Sequence, residues 1–99
     1  MNLEYVAEES KTVKTDSGKI ICLEYDAYAE PMVICDEETV CYGIEVRERD
    51  GEHVHSRRFS GITCHLSEIQ MIFRLVTDGL VFPDELEEIL EQIIEEKIL

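Results

Sequence analysis

The spacing of apolar residues changes along this chain of 99 residues. Around Tyr42, Ile44 and Val46 apolar and polar residues alternate, which is typical of a half-buried strand. Beyond residue 65 apolar residues recur three and four apart, which is typical of amphipathic helices. Strands followed by helices predict an α+β fold. We expect a single domain, 1–99, with an antiparallel sheet of four to five strands in the N-terminal two-thirds and two C-terminal α-helices packed on one face.

The residues before Val40 predict strands with less regular patterns. Thr15-Asp16-Ser17-Gly18 has turn chemistry, because Asp and Ser side chains bond nearby backbone groups and Gly accepts a positive φ. The run Ile20–Leu23 is apolar on both faces, which indicates a central strand. The expected segments are an edge strand at 3–8, a strand at 19–25, an unassigned segment compatible with a loop at 26–31, a short strand at 32–35 and a turn at 36–38.

Asp50-Gly51 predicts a tight hairpin turn, since both of its central residues can take a positive φ. Two registers are open. A two-residue loop pairs Val46 with His55 and matches the charges, whereas a three-residue loop pairs Val46 with Val54, which suits the core but opposes two glutamates. We favour the first register, with a later bulge in the returning strand that brings Phe59 inward.

Two helices are predicted in the last third of the chain. Thr63 is the expected N-cap of the first, because its hydroxyl can accept an early helical N–H. This helix should run to about Thr77 and stop at Gly79 in the left-handed conformation. Pro83 opens the second helix, where its missing N–H is not needed. The apolar stripe of the second helix comprises Leu86, Ile89, Leu90, Ile93, Ile94 and Ile98.

The formal net charge of −14 restricts the possible partners. A phosphate backbone or an anionic membrane would be repelled by most of this surface. We therefore expect neither nucleic acid nor membrane as a partner. The glutamate-rich terminal helix could mimic nucleic acid toward a basic protein, although such a run is more often a solvated face.

The four cysteines, Cys22, Cys35, Cys41 and Cys64, are interpreted as reduced thiols. The first ten residues are polar and acidic and have no apolar core of a secretory signal. Three of the cysteines lie in apolar, strand-like runs, where a free cysteine behaves as a small hydrophobe. Reduced thiols predict a cytoplasmic protein, and the chain has no run of apolar residues long enough to span a membrane.

Part of the chain resembles a known family. The segment Tyr42-Gly43-Ile44-Glu45-Val46, followed by Arg49-Asp50-Gly51, a helix, Val81-Phe82-Pro83 and an acidic, aliphatic terminal helix, is similar to a small uncharacterised domain family of clostridia and their relatives. The resemblance covers roughly the second half of the chain. It implies a bacterial cytosolic protein, and because the family has no assigned activity it implies no catalytic or binding residues.

His53, His55, Cys64 and His65 are the candidate metal ligands. His53 and His55 lie two apart on a strand and so share a face, while Cys64 and His65 open the first helix. Neutral imidazoles and a thiolate are good Zn²⁺ ligands, but this spacing matches no familiar zinc motif, and the residues are equally compatible with exposed histidines and a helix cap. We therefore expect no cofactor.

Cys64 near a helix N-terminus is also a candidate nucleophile, since that position raises the reactivity of a thiol. A cysteine–histidine dyad needs an orienting third group and an oxyanion donor. The sequence identifies neither group. We therefore expect that the protein is not an enzyme.

The arginines Arg47, Arg49, Arg57 and Arg58 form a candidate interaction surface on the hairpin. They could bind an anion or the glutamate face of another subunit's terminal helix, or could form ordinary surface pairs worth less than about 1 kcal/mol each. The connector residues Leu80 and Phe82 and the broad apolar stripe of the first helix are candidate subunit contacts.

Two functional hypotheses follow from these features. The leading one is a non-enzymatic protein-interaction or regulatory domain that acts as a homodimer, because the helices carry more apolar surface than a small sheet needs. The alternative is a small metal- or ligand-binding protein that uses the His53, His55, Cys64 and His65 cluster.

Overall fold

Four antiparallel strands form one sheet in the order β1–β2–β3–β4, so each strand pairs with the next along the chain. The computed structural model describes residues 4–98, with only the backbone at Ile98. The strands are β1 Glu4–Lys14, β2 Ile20–Ile34, β3 Glu37–Asp50 and β4 His53–Thr63. They are followed by helix α1 Leu66–Asp78, a 3₁₀ turn Pro83–Glu85, helix α2 Leu86–Ile93 and a π-helical segment Ile94–Ile98. The predicted α+β fold is confirmed.

Strand β2 is longer than the sequence indicated. It continues through residues 26–31, which excludes the loop considered for this unassigned segment, and the short strand predicted at 32–35 belongs to the same element. The reason is packing on both sides, because β2 pairs with β1 and β3 and buries Asp26, Tyr28 and Ala29. The predicted edge strand is confirmed as β1 but extends to Lys14, and Leu3 lies outside the described residues.

Two of the predicted turns have different outcomes. The turn before β2 is confirmed, with Gly18 at φ 88° and its N–H donated to the Thr15 carbonyl at 2.9 Å. The turn expected at 36–38 instead occupies Cys35 and Asp36, which have φ of 52° and 64°. Positive φ at both central residues is the geometry of a type I′ hairpin turn, so residues 37 and 38 already belong to β3.

Both registers considered for the β3–β4 hairpin are wrong. Asp50 pairs with His53, so Gly51 and Glu52 are the central residues of the turn, and Val46 pairs with Arg57. Only Gly51, at φ 61°, takes a positive φ there, as in a type II′ turn, which has Gly first. In this register Phe59 faces Ile44 directly, and the bulge follows it, between the pairs of Ile44 and Tyr42.

Helix α1 ends at Asp78, close to the predicted Thr77, but the residues at its two caps differ from the prediction. Its N-cap is His65 rather than Thr63, and the Thr63 hydroxyl accepts the His65 N–H at 3.2 Å just before the helix. Gly79 has a helical φ of −81°, whereas Leu80 takes the left-handed φ of 51°. Leu80 N–H donates to Thr77 and Val81 N–H to Val76. These are the two bonds of a Schellman motif, with Leu80 at its left-handed position.

The second helical region begins at Pro83, as predicted, but with a 3₁₀ turn. The Glu85 carboxylate accepts the Phe82 N–H at 3.1 Å, which satisfies one of the unpaired donors at this end. In α2 the apolar stripe is confirmed, because Leu86, Leu90 and Ile93 are buried. The side chain of Ile98, the last member of the predicted stripe, lies outside the description.

The hydrophobic core lies between the helices and one face of the sheet, the helix face. The opposite face carries no helix among the described residues and is called the open face. Tyr25 anchors the two layers, since its hydroxyl donates to the Val81 carbonyl at 3.0 Å. The core combines sheet residues Leu23, Tyr25, Ala27, Ile44 and Val46 with helical and connector residues Ile69, Ile72, Phe73, Val76, Val81, Leu86, Leu90 and Ile93.

Candidate functional site

The structure does not bring the four candidate metal ligands together. Within residues 4–98, no three His, Cys, Asp or Glu side chains converge in a way that could hold a metal. His55 instead contacts Asp84 across the layers, with Nε2 and Oδ1 2.8 Å apart, and the Cys64 sulfur is bonded to Cys41. His53 and His65 are exposed.

Cys41 and Cys64 form a disulfide, with Cα atoms 4.2 Å apart. The interpretation of all four cysteines as reduced thiols is therefore wrong for these two, while Cys22 and Cys35 are free. The physical cause is the bulged end of the β3–β4 ladder. Tyr42 pairs with Thr63. Cys41 precedes Tyr42 and Cys64 follows Thr63, so the two cysteines are neighbours across the antiparallel strands.

Three of the four candidate arginines belong to an ionic network on the open face. Arg47 contacts three carboxylates, those of Asp26, Glu45 at 2.8 Å and Glu24 at 3.6 Å. Arg49 bonds Glu24 at 3.0 Å and Arg58 lies 3.4 Å from Glu45. We call this set the open-face ladder; its members are Glu24, Asp26, Glu45, Arg47, Arg49 and Arg58.

Arg47 is the central cation of the open-face ladder. Burial alone would lower the pKa of Arg47, but the hydrogen bond to Asp26 and the charges of Asp26, Glu45 and Glu24 outweigh it and raise that pKa above its usual value. Asp26 is only 4% exposed, so Arg47 compensates a buried carboxylate. These arginines are already matched by charges of their own chain.

Tyr28 is buried on the open face, against Gly43 of the neighbouring strand. Its hydroxyl is 2.6 Å from the Ser60 hydroxyl, and the Arg58 guanidinium lies 5.1 Å from the centre of its ring. Burial raises the pKa of Tyr28, against the opposing effects of the Ser60 hydrogen bond and the Arg58 charge. A cation over an aromatic face is attracted to it, so Arg58 covers the ring from the solvent side.

The remaining candidate residues lie near the helices. Arg57 is exposed on β4 and approaches Glu87 of α2 at 4.0 Å. Leu80 is 40% exposed, whereas Phe82 is half-buried and packs against the core. These three residues do not form one continuous surface with the open-face ladder, which lies on the other side of the sheet.

Strand β1 has one free edge, since β2 is its only neighbour in the sheet formed by the described residues. Thr15 N–H donates to the Lys19 carbonyl at 2.8 Å, one step beyond the Lys14–Ile20 pair. Bonded and non-bonded pairs alternate along an antiparallel ladder. We infer that the backbone N–H and C=O groups of the even-numbered residues 8–14 point to the free edge.

Two cavities lie along β1, one on each face of the sheet. The larger, of about 570 Å³, separates β1 from α1 and is lined by Val6, Ala7, Glu9, Gln70, Met71, Phe73, Arg74, Thr77 and Asp78. The smaller, of about 260 Å³, is on the open face and is lined by Glu8, Glu9, Ser10, Glu24, Asp26 and Arg47. Sequence reasoning missed these cavities, because residues 8–12 of β1 are all polar and give no alternating signal.

The far end of the β2–β3 hairpin exposes further apolar side chains. Beyond Ala29 and Tyr42 the two strands pair only with each other within the described residues. Val33 is 69% exposed there, and Ile34 and Val40 are exposed as well. This hairpin end and the free edge of β1 both present apolar or hydrogen-bonding groups of the sheet to solvent.

The geometry describes an α+β domain with a four-stranded meander, an ionic network on its open face and an edge strand, β1, with one free side. The chain belongs to DUF6514, a family of unknown function, whose sequence model matches residues 4–96. The match thus spans both the strands and the helices, and not only the second half of the chain. Searches among curated proteins and among solved structures gave no match. None of the helices within residues 4–98 is long and apolar enough to cross a membrane.

Proposed function

We propose that this protein is a non-enzymatic protein-interaction domain that acts as a homodimer. The observation that carries the proposal is the free edge of β1 with a cavity on each side of it. An unpaired edge presents a row of N–H and C=O groups that can pair with another strand. Adding a strand there would supply a wall for both cavities.

The other edge strand, β4, is less suited to pairing than β1, which supports β1 as the edge used in the dimer. Strand β4 ends in a bulge with Gly61 at φ 64° and contacts the helical layer through His55 and Asp84. Bulges are devices that keep an edge from pairing. In β1 the described irregularity is confined to the Tyr5–Ala7 step, so a regular run remains.

The groups that suggested chemistry have structural roles in this fold. Cys64 is bonded to Cys41, and His55 contacts Asp84. The open-face ladder pairs Arg47, Arg49 and Arg58 with carboxylates of the same chain. These contacts favour a binding role over catalysis, and they leave main-chain pairing at β1 as the means of association.

Sedimentation equilibrium tests the proposal directly. We expect a mass of twice the chain mass of 11.5 kDa, at an ionic strength of about 0.15 M or above, where the repulsion between two acidic chains is screened. Thr12→Pro should give a monomer with unchanged circular dichroism, since the Thr12 N–H points away from β2 and proline is tolerated at an edge. A wild-type mass of one chain at every concentration would contradict the proposal.

A further inference from the structure

The free edge of β1 is nearly self-complementary in one register. We propose that two copies pair through β1 in antiparallel fashion, with Ser10 of each copy on the two-fold axis, so that the two sheets join into one. This inference rests on the proposed function, because it specifies how the homodimer forms. It depends on three properties of β1: which side chains share a face, which backbone groups point outward and where the charges lie.

The faces of β1 follow from its pairing with β2. Ala7, Glu9, Lys11 and Val13 pair with the odd-numbered residues of β2, which lie on the helix face. The even-numbered residues 8–14 lie on the open face. A two-fold axis that sets two antiparallel copies of an edge side by side is perpendicular to the sheet, so opposed residues lie on the same face. Each register is then defined by the residue on the axis.

Charge excludes the registers with Glu8, Glu9 or Lys11 on the axis, and Thr12 on the axis would leave Lys11 opposite Val13, without a charge partner. With Glu8 or Glu9 on the axis, two identical carboxylates face each other, and with Lys11 on the axis two ammonium groups do so. Directly opposed like charges are destabilising. Ser10 on the axis sets two small neutral side chains opposite each other, and the seven-residue span from Ala7 to Val13, which excludes the Tyr5–Ala7 irregularity, is paired throughout.

The Ser10 register also matches the neighbouring residues. On the helix face Glu9 lies opposite Lys11 of the second copy, and Ala7 lies opposite Val13, and both contacts occur twice. Ala7 and Val13 already pack against the core of their own chain, so the apolar layer would continue across the axis. The outward backbone groups of residues 8, 10 and 12 would form about six hydrogen bonds between the copies.

A set of single cysteine substitutions reads the register. Glu8→Cys, Glu9→Cys, Ser10→Cys and Lys11→Cys are made in a Cys22→Ser, Cys35→Ser background, which removes the free thiols. Opposed residues have Cα atoms about 5.5 Å apart, within disulfide range, whereas a residue two positions from the axis is about 14 Å from its own copy. We expect roughly tenfold more oxidised dimer for Ser10→Cys than for Glu8→Cys, its same-face control.

The results distinguish the pairing register from the existence of the dimer. Strongest cross-linking at another position, or none at any position in a protein that sediments as a dimer, would overturn this inference and leave the proposed function standing. A monomeric protein would overturn both.

A charge exchange provides a second measurement that does not depend on oxidation. Lys11→Glu sets two carboxylates opposite each other on both sides of the axis, and we expect the dimer dissociation constant to rise roughly tenfold. The exchanged variant Glu9→Lys with Lys11→Glu restores the pairs and also the contact between these residues within one chain, 3.9 Å in the wild type. An exchanged variant as weak as Lys11→Glu alone would overturn the register.

Discussion

The phenol ring of Tyr28 lies on Gly43, its partner on the adjacent strand. A Cβ atom at Gly43 would come within 2.6 Å of the Tyr28 Cζ and hydroxyl atoms and would also collide with the Phe59 carbonyl oxygen. Glycine is therefore required here by the space that the ring and the neighbouring strand occupy, and not by its backbone conformation.

Gly43→Ala tests this close contact. Backbone and a buried ring cannot both move away, so we expect a loss of about 2–3 kcal/mol in the free energy of unfolding, as for an overpacked core. Urea denaturation measures the loss. Thr39→Ala, on the same strand, is the control and should cost less than about 1 kcal/mol. Equal stabilities of Gly43→Ala and wild type would contradict the packing described for Tyr28.

Arg47→Met tests the open-face ladder. The variant leaves the nearly buried Asp26 without its cation, and we expect a loss of about 3–5 kcal/mol. Asp26→Asn combined with Arg47→Met should recover part of this loss, since no unpaired charge remains. The exposed Arg49→Met is the matched control, with an expected cost below about 1 kcal/mol. A similar cost for both single variants would argue against a special role of Arg47.

Tyr25 should make stability depend on alkaline pH. Burial, followed by the charges of Glu85 and Glu9, raises the pKa of Tyr25 to about 12, from 10.0 in the unfolded chain. The contribution of neutral Tyr25 to the free energy of unfolding is therefore complete below about pH 10 and is lost as the pH rises toward 12. Tyr25→Phe removes the bond to Val81 and should lower stability by about 1 kcal/mol at neutral pH.

Urea titrations of the two proteins at several alkaline pH values measure this dependence. The free energy of unfolding should decline less steeply with rising pH in Tyr25→Phe than in the wild type. Tyr5→Phe, at an exposed site, is the control and should leave the decline unchanged. Parallel curves for wild type and Tyr25→Phe would exclude Tyr25 as its source.

The Cys41–Cys64 disulfide should stabilise the oxidised protein. It closes a loop with a sequence separation of 23 residues, for which the chain-entropy relation gives about 3 kcal/mol. Dithiothreitol should lower the free energy of unfolding of the wild type by this amount. It should not change that of Cys41→Ala with Cys64→Ala. Four reactive thiols in the unreduced, denatured protein would show that the bond does not form.

Leu80 offers a substitution that should increase stability. A non-glycine residue in the left-handed conformation costs about 1 kcal/mol, and Leu80 has φ 51° at the Schellman position. Leu80→Gly should therefore raise the melting temperature. Leu80→Ala loses the same exposed side chain but keeps the strain, and so should not. A gain shared by both variants would assign the effect to the side chain instead of the backbone.

Periodicity predicted the strand–helix order because the core is built on it. The strand at Tyr42, Ile44 and Val46 is confirmed, and so is the apolar stripe of the second helix over the residues whose side chains are described. The turn positions were less predictable, since Leu80, and not Gly79, takes the left-handed conformation. Val76 and Val81 both pack in the core and are joined by a backbone hydrogen bond, and this places the end of the Schellman motif after Leu80.

The long-range pairs could not be predicted from residue types. The contact between Cys41 and Cys64 depends on the true hairpin register and on the bulge that follows Phe59. The carboxylates that surround Arg47 come from two strands, one of which contained the segment left unassigned. The edge position of β1 was predicted for residues 3–8, but the regular run that continues to Lys14 depends on the pairing with β2, which the polar residues 8–12 do not indicate.

The open-face ladder contains three acidic and three basic side chains, so it contributes nothing to the net charge of −14. By contrast, the segment Asp84–Lys97 on the opposite side of the sheet holds seven acidic residues and one lysine. Negative charge is therefore denser along this helical segment than on the open-face ladder. On a positively charged support the protein would adsorb through α2, with the sheet turned toward the solution and the edge of β1 unobstructed.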